Sequence, residues 1–227
     1  NYQNAIKWSS QLVNINPNDE KYHLQLINAY KESGNLEKQL SSIQSGRLSI
    51  PQSQAIIIEE VNYYLGIGDN ESLLKSLDFA VQKDSTNAVL HFVLGLTYSN
   101  LSQKNQAINS YKKSLLLDPN SVDTYNNLAA IYIDEAIGYE EEYNNLAINA
   151  SQKKYDQLSK KIKKAQLNAL PYLEKILLLK PEDNNIVNRL KQIYYQLGEQ
   201  DKSISMKKLI ELQGLDRENF VKDFFAN

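Results

Sequence analysis

The sequence predicts an all-α protein, an α-α superhelical solenoid of stacked helix pairs. Two independent markers carry the prediction. Tyr30, Tyr64, Tyr98 and Tyr132 stand 34 residues apart, and Tyr194 follows after 62. Pro17, Pro51, Ser85 and Pro119 repeat the same 34, and Pro181 again follows after 62. A fixed period of this size signals a repeat array, in which each unit contacts its neighbours rather than one shared core. The shared interruption exceeds the period by 28 residues, so one repeat carries an insertion of that length.

Taken in order, residues 1–19 read as a lone second helix, with Ala5 and Leu12 in register and an apolar face containing Ile6 and Trp8. That half repeat predicts either a partner on this face or further chain upstream. Residues 20–53 hold Leu26, Tyr30, Ile43 and Pro51, with Gly34-Asn35 at the turn, and residues 54–87 hold Val61, Tyr64, Gly68, Leu77 and Ala80. Residues 88–121 are the clearest unit. His91, Leu94, Gly95 and Tyr98 share one helical face at three-and-four spacing, and Ala107, Tyr111 and Ser114 share another. Gly95 and Ala107 are small where two helices must approach closely. Pro119 stops the second helix, because it has no N–H to donate and restricts the residue before it. Ser121 is placed to cap the next helix.

This unit resembles the tetratricopeptide repeat, whose pattern runs large residue, Leu-Gly, Tyr, Ala, aromatic, Pro. The resemblance extends with varying fidelity over nearly the whole chain. Ile27 and Gln39 stand in 20–53 where the pattern has the Gly and the Ala. It implies a scaffold that binds proteins or peptides along its first helices, and no enzymatic activity.

Residues 122–183 form the interrupted repeat, opening with Tyr125, Leu128, Ala129 and Tyr132 and closing with Ala169, Leu173, Ile176 and Pro181. The insertion keeps helical periodicity: Ala136, Tyr139, Tyr143, Leu146 and Ala150 going out, Leu158, Ile162 and Ala165 coming back. Both helices are therefore expected to lengthen by about 14 residues, giving a coiled-coil hairpin that projects roughly 20 Å. The turn is expected near Ser151–Lys154, with Glu140, Glu141 and Glu142 opposite Lys160, Lys161, Lys163 and Lys164. Pro171 is expected to kink the returning helix. Similar long-hairpin repeats occur in some exported bacterial tetratricopeptide proteins. Residues 184–213 supply a further repeat with Leu190, Tyr194 and Gly198. In 214–227, Gly214 breaks the helix and Phe220, Val221, Phe224 and Phe225 form a stripe for a capping helix, or for a segment that docks on another molecule.

Composition narrows the function. A formal charge of -2 provides no basic footprint for nucleic acid, and the lysine-rich returning helix lacks arginine and aromatic interleaving. No apolar stretch approaches the roughly 18 residues of a membrane span, so no membrane insertion is expected. Without cysteine the compartment stays open: bacterial periplasm or envelope, or cytoplasm. No metal or cofactor site is expected. His23 and His91 occupy equivalent packing positions without partner ligands, no phosphate loop or nucleophile motif occurs, and Glu59-Glu60 point to different sides of their helix.

The expected binding surface is the groove lined by first helices. Val89, Phe92 and Leu96 form an apolar patch for an anchor side chain. Asn28, Asn62, Asn126, Asn127 and Asn188, with Arg189, form a polar row whose amides can both donate to and accept from an extended peptide backbone. Members of the family that bind chaperone tails clamp a carboxylate with Lys and Asn from one repeat, Asn from the next, and Lys and Arg from a third. Asn127 and Arg189 match the later positions, but Phe92 and Leu96 stand where Lys and Asn are required, so that ligand is excluded. The alternative is an assembly protein whose hairpin docks on a partner or self-associates.

Overall fold

The computed structural model describes residues 2–226, and among these the regular structure is entirely helical. The chain divides inside its seventh helix into two compact units, 1–110 and 111–227. Unit one contains α1 (Tyr2–Ile15), α2 (Glu20–Glu32), α3 (Leu36–Ser49), α4 (Gln54–Ile67), α5 (Asn70–Lys83) and α6 (Ala88–Asn100). The dividing helix is α7 (Lys104–Leu117). Unit two contains α8 (Val122–Asn144), α9 (Gln152–Leu179), α10 (Asn184–Leu197), α11 (Gln200–Glu211) and α12 (Gly214–Ala226).

The 34-residue period is written into the ends of the helices. First helices start behind Asp19, Ser53, Asn87, Ser121 and Asp183, and each of these side chains accepts a hydrogen bond from an N–H of the first turn. Such a cap satisfies one orphan donor and contributes about 1 kcal/mol. First helices end at Gly34, Gly68, Ser102 and Gly198, all with positive φ, which turns the chain back into the second helix.

The carbonyls at the proline register are each satisfied, by different donors. His23 Nε2 reaches the Pro17 carbonyl at 2.8 Å, Arg47 Nη1 reaches Pro51 at 2.8 Å, and His91 Nε2 reaches Ser85 at 3.0 Å. Tyr125 Oη donates to Pro119 at 3.0 Å, and Arg217 Nε donates to Pro181. The two buried histidines thus tie the turn between repeats to the helix that follows it.

In unit one, Ile27, Ile43 and Ile56 are fully buried between α2, α3 and α4, and Ile57, Val61, Leu73, Leu77, Leu90 and Leu94 fill the layer between α4, α5 and α6. Gly46 lets α3 pass close over α2 and α4: a Cβ there would meet Ile56 Cδ1 at 3.0 Å and His23 Nδ1 at 3.3 Å. In unit two a larger core runs from Ala129 through Leu173, Ile176, Leu177, Val187, Leu190 and Tyr194 to Met206, Leu209 and Val221. There α12 lies against α9 and α11. Val221 is buried, Phe224 meets the Tyr194 ring edge-on at 6.3 Å, and Arg217 also bonds Asn184 Oδ1 at 2.8 Å.

The hairpin differs from expectation at its tip. α8 stops at Asn144 and α9 starts at Gln152, so the turn occupies 145–151, ahead of the expected Ser151–Lys154. Leu146 and Ala150 continue the apolar spacing but lie in the turn, because Asn144-Asn145 favours a helix end over a helix interior. The lengthening is consequently unequal: α8 has 23 residues against 13 in α6, while α9 has 28 against 14 in α7. α9 also passes through Pro171 as one uninterrupted helix. Pro171 and Leu167 are both exposed, so the carbonyl that proline leaves unpaired faces water.

Candidate peptide-binding surfaces

In unit one the first helices carry corresponding exposed or half-buried positions one period apart. Lys21, Leu24, Gln25 and Asn28 on α2 correspond to Ala55, Ile58, Glu59 and Asn62 on α4, and to Val89, Phe92, Val93 and Leu96 on α6. Leu24, Ile58 and Phe92 therefore occupy one register position on three successive first helices, and Leu24 and Ile58 line a common depression. Ile58 is 40% exposed and Leu24 and Phe92 are half-buried. Val89 is exposed at 66% and Leu96 is half-buried.

Two open depressions adjoin along this surface. One, of about 650 Å³, has Leu24, Ala55 and Ile58 as its apolar lining. The other, of about 380 Å³, is lined by Ala5, Trp8, Leu12 and Ala29. Gln25 and Asn28 belong to both and stand on the ridge between them. Asn28 and Asn62 are exposed, and among the described residues neither side chain is engaged by another group. At the edge, Lys31 Nζ pairs with Glu59 at 3.4 Å. On the other side of α4, Arg47 pairs with Glu60 at 3.1 Å and lies 4.3 Å over the Phe79 ring. The two adjacent glutamates thus serve separate structural pairs.

In unit two the polar row is less uniform. Asn126 is exposed and unengaged among the described residues, but Asn127 Nδ2 donates to the Asp123 carbonyl at 2.8 Å. Asn188 Oδ1 accepts from Lys191 at 3.3 Å, and Arg189 is exposed. Tyr125, Tyr172 and Tyr132 form an aromatic run, the last two stacked at 6.0 Å. Burial raises all three phenols above the ordinary value.

The hairpin adds a recess of about 510 Å³ where α8 and α9 meet α10. The buried Gln166 amide donates to Glu140 at 3.3 Å and to Gln196 at 2.8 Å, joining the three helices. Tyr143 and Tyr155 meet edge-on at 5.1 Å near the tip. The expected glutamate–lysine pairing is not what joins the arms: among the described residues no ion pair links Glu140–Glu142 to the lysines of α9. Lys161 instead lies 4.8 Å over the Tyr139 ring.

Reading Phe92, Val89 and Leu96 from sequence left out Leu24, Ile58 and Trp8, which line the better-formed depressions. The signal for the first two was present, since stepping back from Phe92 by one and two periods lands on Ile58 and Leu24.

A tetratricopeptide-repeat family model matches residues 88–121. No curated protein matches the chain. Among solved structures, MamA is similar at 16% identity with a TM-score of 0.62, over 88% of this chain and 91% of that one. YrrB, described as a tetratricopeptide protein with an unusual peptide-binding site, is similar at 12% identity with a TM-score of 0.61, over 95% and 92%. A monomeric mutant of IFIT1 with Gppp-AAAA is similar at 15% identity with a TM-score of 0.52, over 96% of this chain but 47% of that one. The family model identifies residues 88–121 as a tetratricopeptide repeat, and with the repeated caps, turns and helix pairs the structural likenesses show that the chain has an all-α helical-repeat fold like that of these proteins.

Proposed function

We propose that this protein is a non-enzymatic scaffold that holds an extended peptide or protein segment along the first helices of unit one. The observation that carries this is the depression lined by Leu24 and Ile58, with Phe92 one period further on, beside the unengaged amides of Asn28 and Asn62. Apolar anchors of the segment enter the depressions, and the asparagines bond its backbone, which needs a donor and an acceptor at each step. Val89 and Leu96 widen the apolar end on α6. On unit two, taken by itself, Asn126, Asn127, Asn188 and Arg189 offer a separate polar surface, with Asn127 and Asn188 first giving up the bonds they already make. The similarity to YrrB, a protein with a peptide-binding site, supports the class of ligand.

The test is selection of peptides from a displayed library on the intact chain, followed by titration of the winners against variants. Ile58→Asp and Phe92→Asp should each weaken binding by at least about tenfold, the scale of an interface anchor, with helical circular dichroism retained. Asn28→Ala should weaken it less. Selected peptides that bind all three variants as tightly as the parent would rule out this surface.

A further inference from the structure

The projecting hairpin carries one sign of charge on each helix. α8 holds Asp123, Asp134, Glu135 and Glu140–Glu142 and no lysine or arginine. The distal part of α9 holds Lys153, Lys154, Lys160, Lys161, Lys163 and Lys164 against the single acid Asp156. Within one hairpin Glu140–Glu142 and the α9 lysines do not use this complementarity on each other. Among the described residues none of those lysines forms an ion pair with Glu140–Glu142; Glu140 takes the Gln166 amide and Lys161 takes the Tyr139 ring.

The hairpin has two broad faces. One is marked by the Glu140–Gln166 bond and borders Gln196 of α10. The other is marked by the Tyr139–Lys161 contact. Helical spacing puts Glu142, three residues after Tyr139, on that second face of α8. Lys154 and Lys164, seven before and three after Lys161, share the same face of α9. Near the tip it opens into a depression of about 530 Å³ containing Glu142, Leu146, Lys154 and Leu158. Glu141 and Asn145 line the same depression, so this face presents acid on one edge, base on the other, and a mixed dip between them with Leu146 and Leu158 in its lining.

We propose that this face is a homodimer interface in which α8 of each copy lies along α9 of the other. A two-fold contact brings the same patch of both copies together and so requires a self-complementary surface, which an acidic edge beside a basic edge provides. Laying α8 on α8 would set acid against acid, so the charges also select the pairing. A polyanion would match only the α9 edge and be repelled by α8, whereas a second copy matches both. The inference does not depend on the peptide surface, since none of its residues lies there.

The experiment measures the mass of the intact chain by sedimentation equilibrium across salt concentrations, for the parent and two variants. Glu141→Lys/Glu142→Lys reverses the α8 edge and Lys154→Glu/Lys164→Glu reverses the α9 edge; all four side chains are exposed. The parent should have twice the monomer mass at low salt and fall back at high salt, where the screening length shrinks to about 3 Å at 1 M. Each variant alone should be monomeric. Their equimolar mixture should regain the doubled mass, because every reversed edge then meets its opposite. Restored pairing also shows that both variants are folded. A monomeric parent at low salt, variants that stay dimeric, or a mixture that stays monomeric would each overturn the proposal. So would a monomeric parent that binds heparin through Lys154 and Lys164, which would make the α9 edge a site for an anionic partner.

Discussion

At the scale of single residues, the repeat is held by positions that the family pattern does not emphasise. Each proline-register carbonyl has a donor, yet the donor is His, Arg, His, Tyr and Arg in turn, reaching from before the turn, after it, or a helix further on. What persists is the need to satisfy a carbonyl where the backbone leaves the helix ladder, and any side chain of suitable reach can meet it. This is why His23 and His91 read from sequence as packing residues: burial was legible from their helical face, but the bond to a carbonyl six residues back was not. The left-handed turn position shows the opposite case, a strict backbone demand met imperfectly. Gly34, Gly68 and Gly198 occupy it without strain, while Ser102 adopts φ 57° with a Cβ in place. A non-glycine residue in that region costs roughly 1–2 kcal/mol, part of which the greater unfolded entropy of glycine would cancel. Ser102→Gly should therefore stabilise the fold by up to about 1 kcal/mol. Denaturant unfolding checks this through a raised midpoint at constant slope, and an unchanged or lowered midpoint would contradict it.

At the scale of elements, the hairpin is two structures joined end to end. Its base is core: Ala129, Ala169, Leu173, Ile176 and Leu177 are all buried, and Tyr132 stacks on Tyr172. Beyond Ala136 the seam thins to Ala165, Leu158 and the half-buried Ile162, Tyr143 and Tyr155, while Ile148 at the tip is fully exposed. Opening free energy follows buried apolar contact. Amides of 137–144 and 152–160 should thus exchange with deuterium much faster than those of 169–177, although all are helical. Uniform protection along α9 would show that the arm is stabilised as strongly as its base, as a monomer or through the proposed dimer; repeating the exchange on Glu141→Lys/Glu142→Lys separates the two. The same contrast explains what the sequence made legible. Every helix pair could be placed from the tyrosine and proline series, because buried faces impose a period. The arm's turn was misplaced because Leu146 and Ala150 keep that period where little core remains to enforce it. Of the asparagine row, Asn28, Asn62, Asn126 and Asn188 are exposed and Asn127 is half-buried, and spacing could not say which members were free: the bonds of Asn127 to Asp123 and of Asn188 to Lys191 depend on rotamers that it does not specify.

At the scale of the whole molecule, four of the five tyrosines that mark the period predict a limit on its stability at high pH. Tyr64 and Tyr98 in unit one and Tyr132 and Tyr194 in unit two occupy the same repeat position, and burial raises each phenol above its ordinary value near 10. Tyr194 is the extreme case, almost wholly buried and donating to Glu174 Oε1 at 2.7 Å, so that both burial and the carboxylate disfavour its phenolate. The sign follows from proton counting. Below pH 10 these phenols are protonated in both folded and unfolded chains and contribute no pH dependence. Above it the unfolded chain releases protons that the folded chain retains, so stability falls as pH rises from the ordinary phenol value toward the raised ones. Helicity should then be lost in a cooperative alkaline transition, and part of the phenolate absorbance should appear only together with that loss. Tyr194→Phe separates the charge effect from the packing effect. Removing its hydroxyl deletes the bond to Glu174 and lowers stability at neutral pH, yet it also removes the most strongly raised phenol, so the decline above pH 10 becomes shallower. Complete titration of all tyrosines near pH 10 with helicity intact would show that the register phenols are reached by solvent in the folded state, and that burial at this position does not link one repeat's packing to the pH limit of the array.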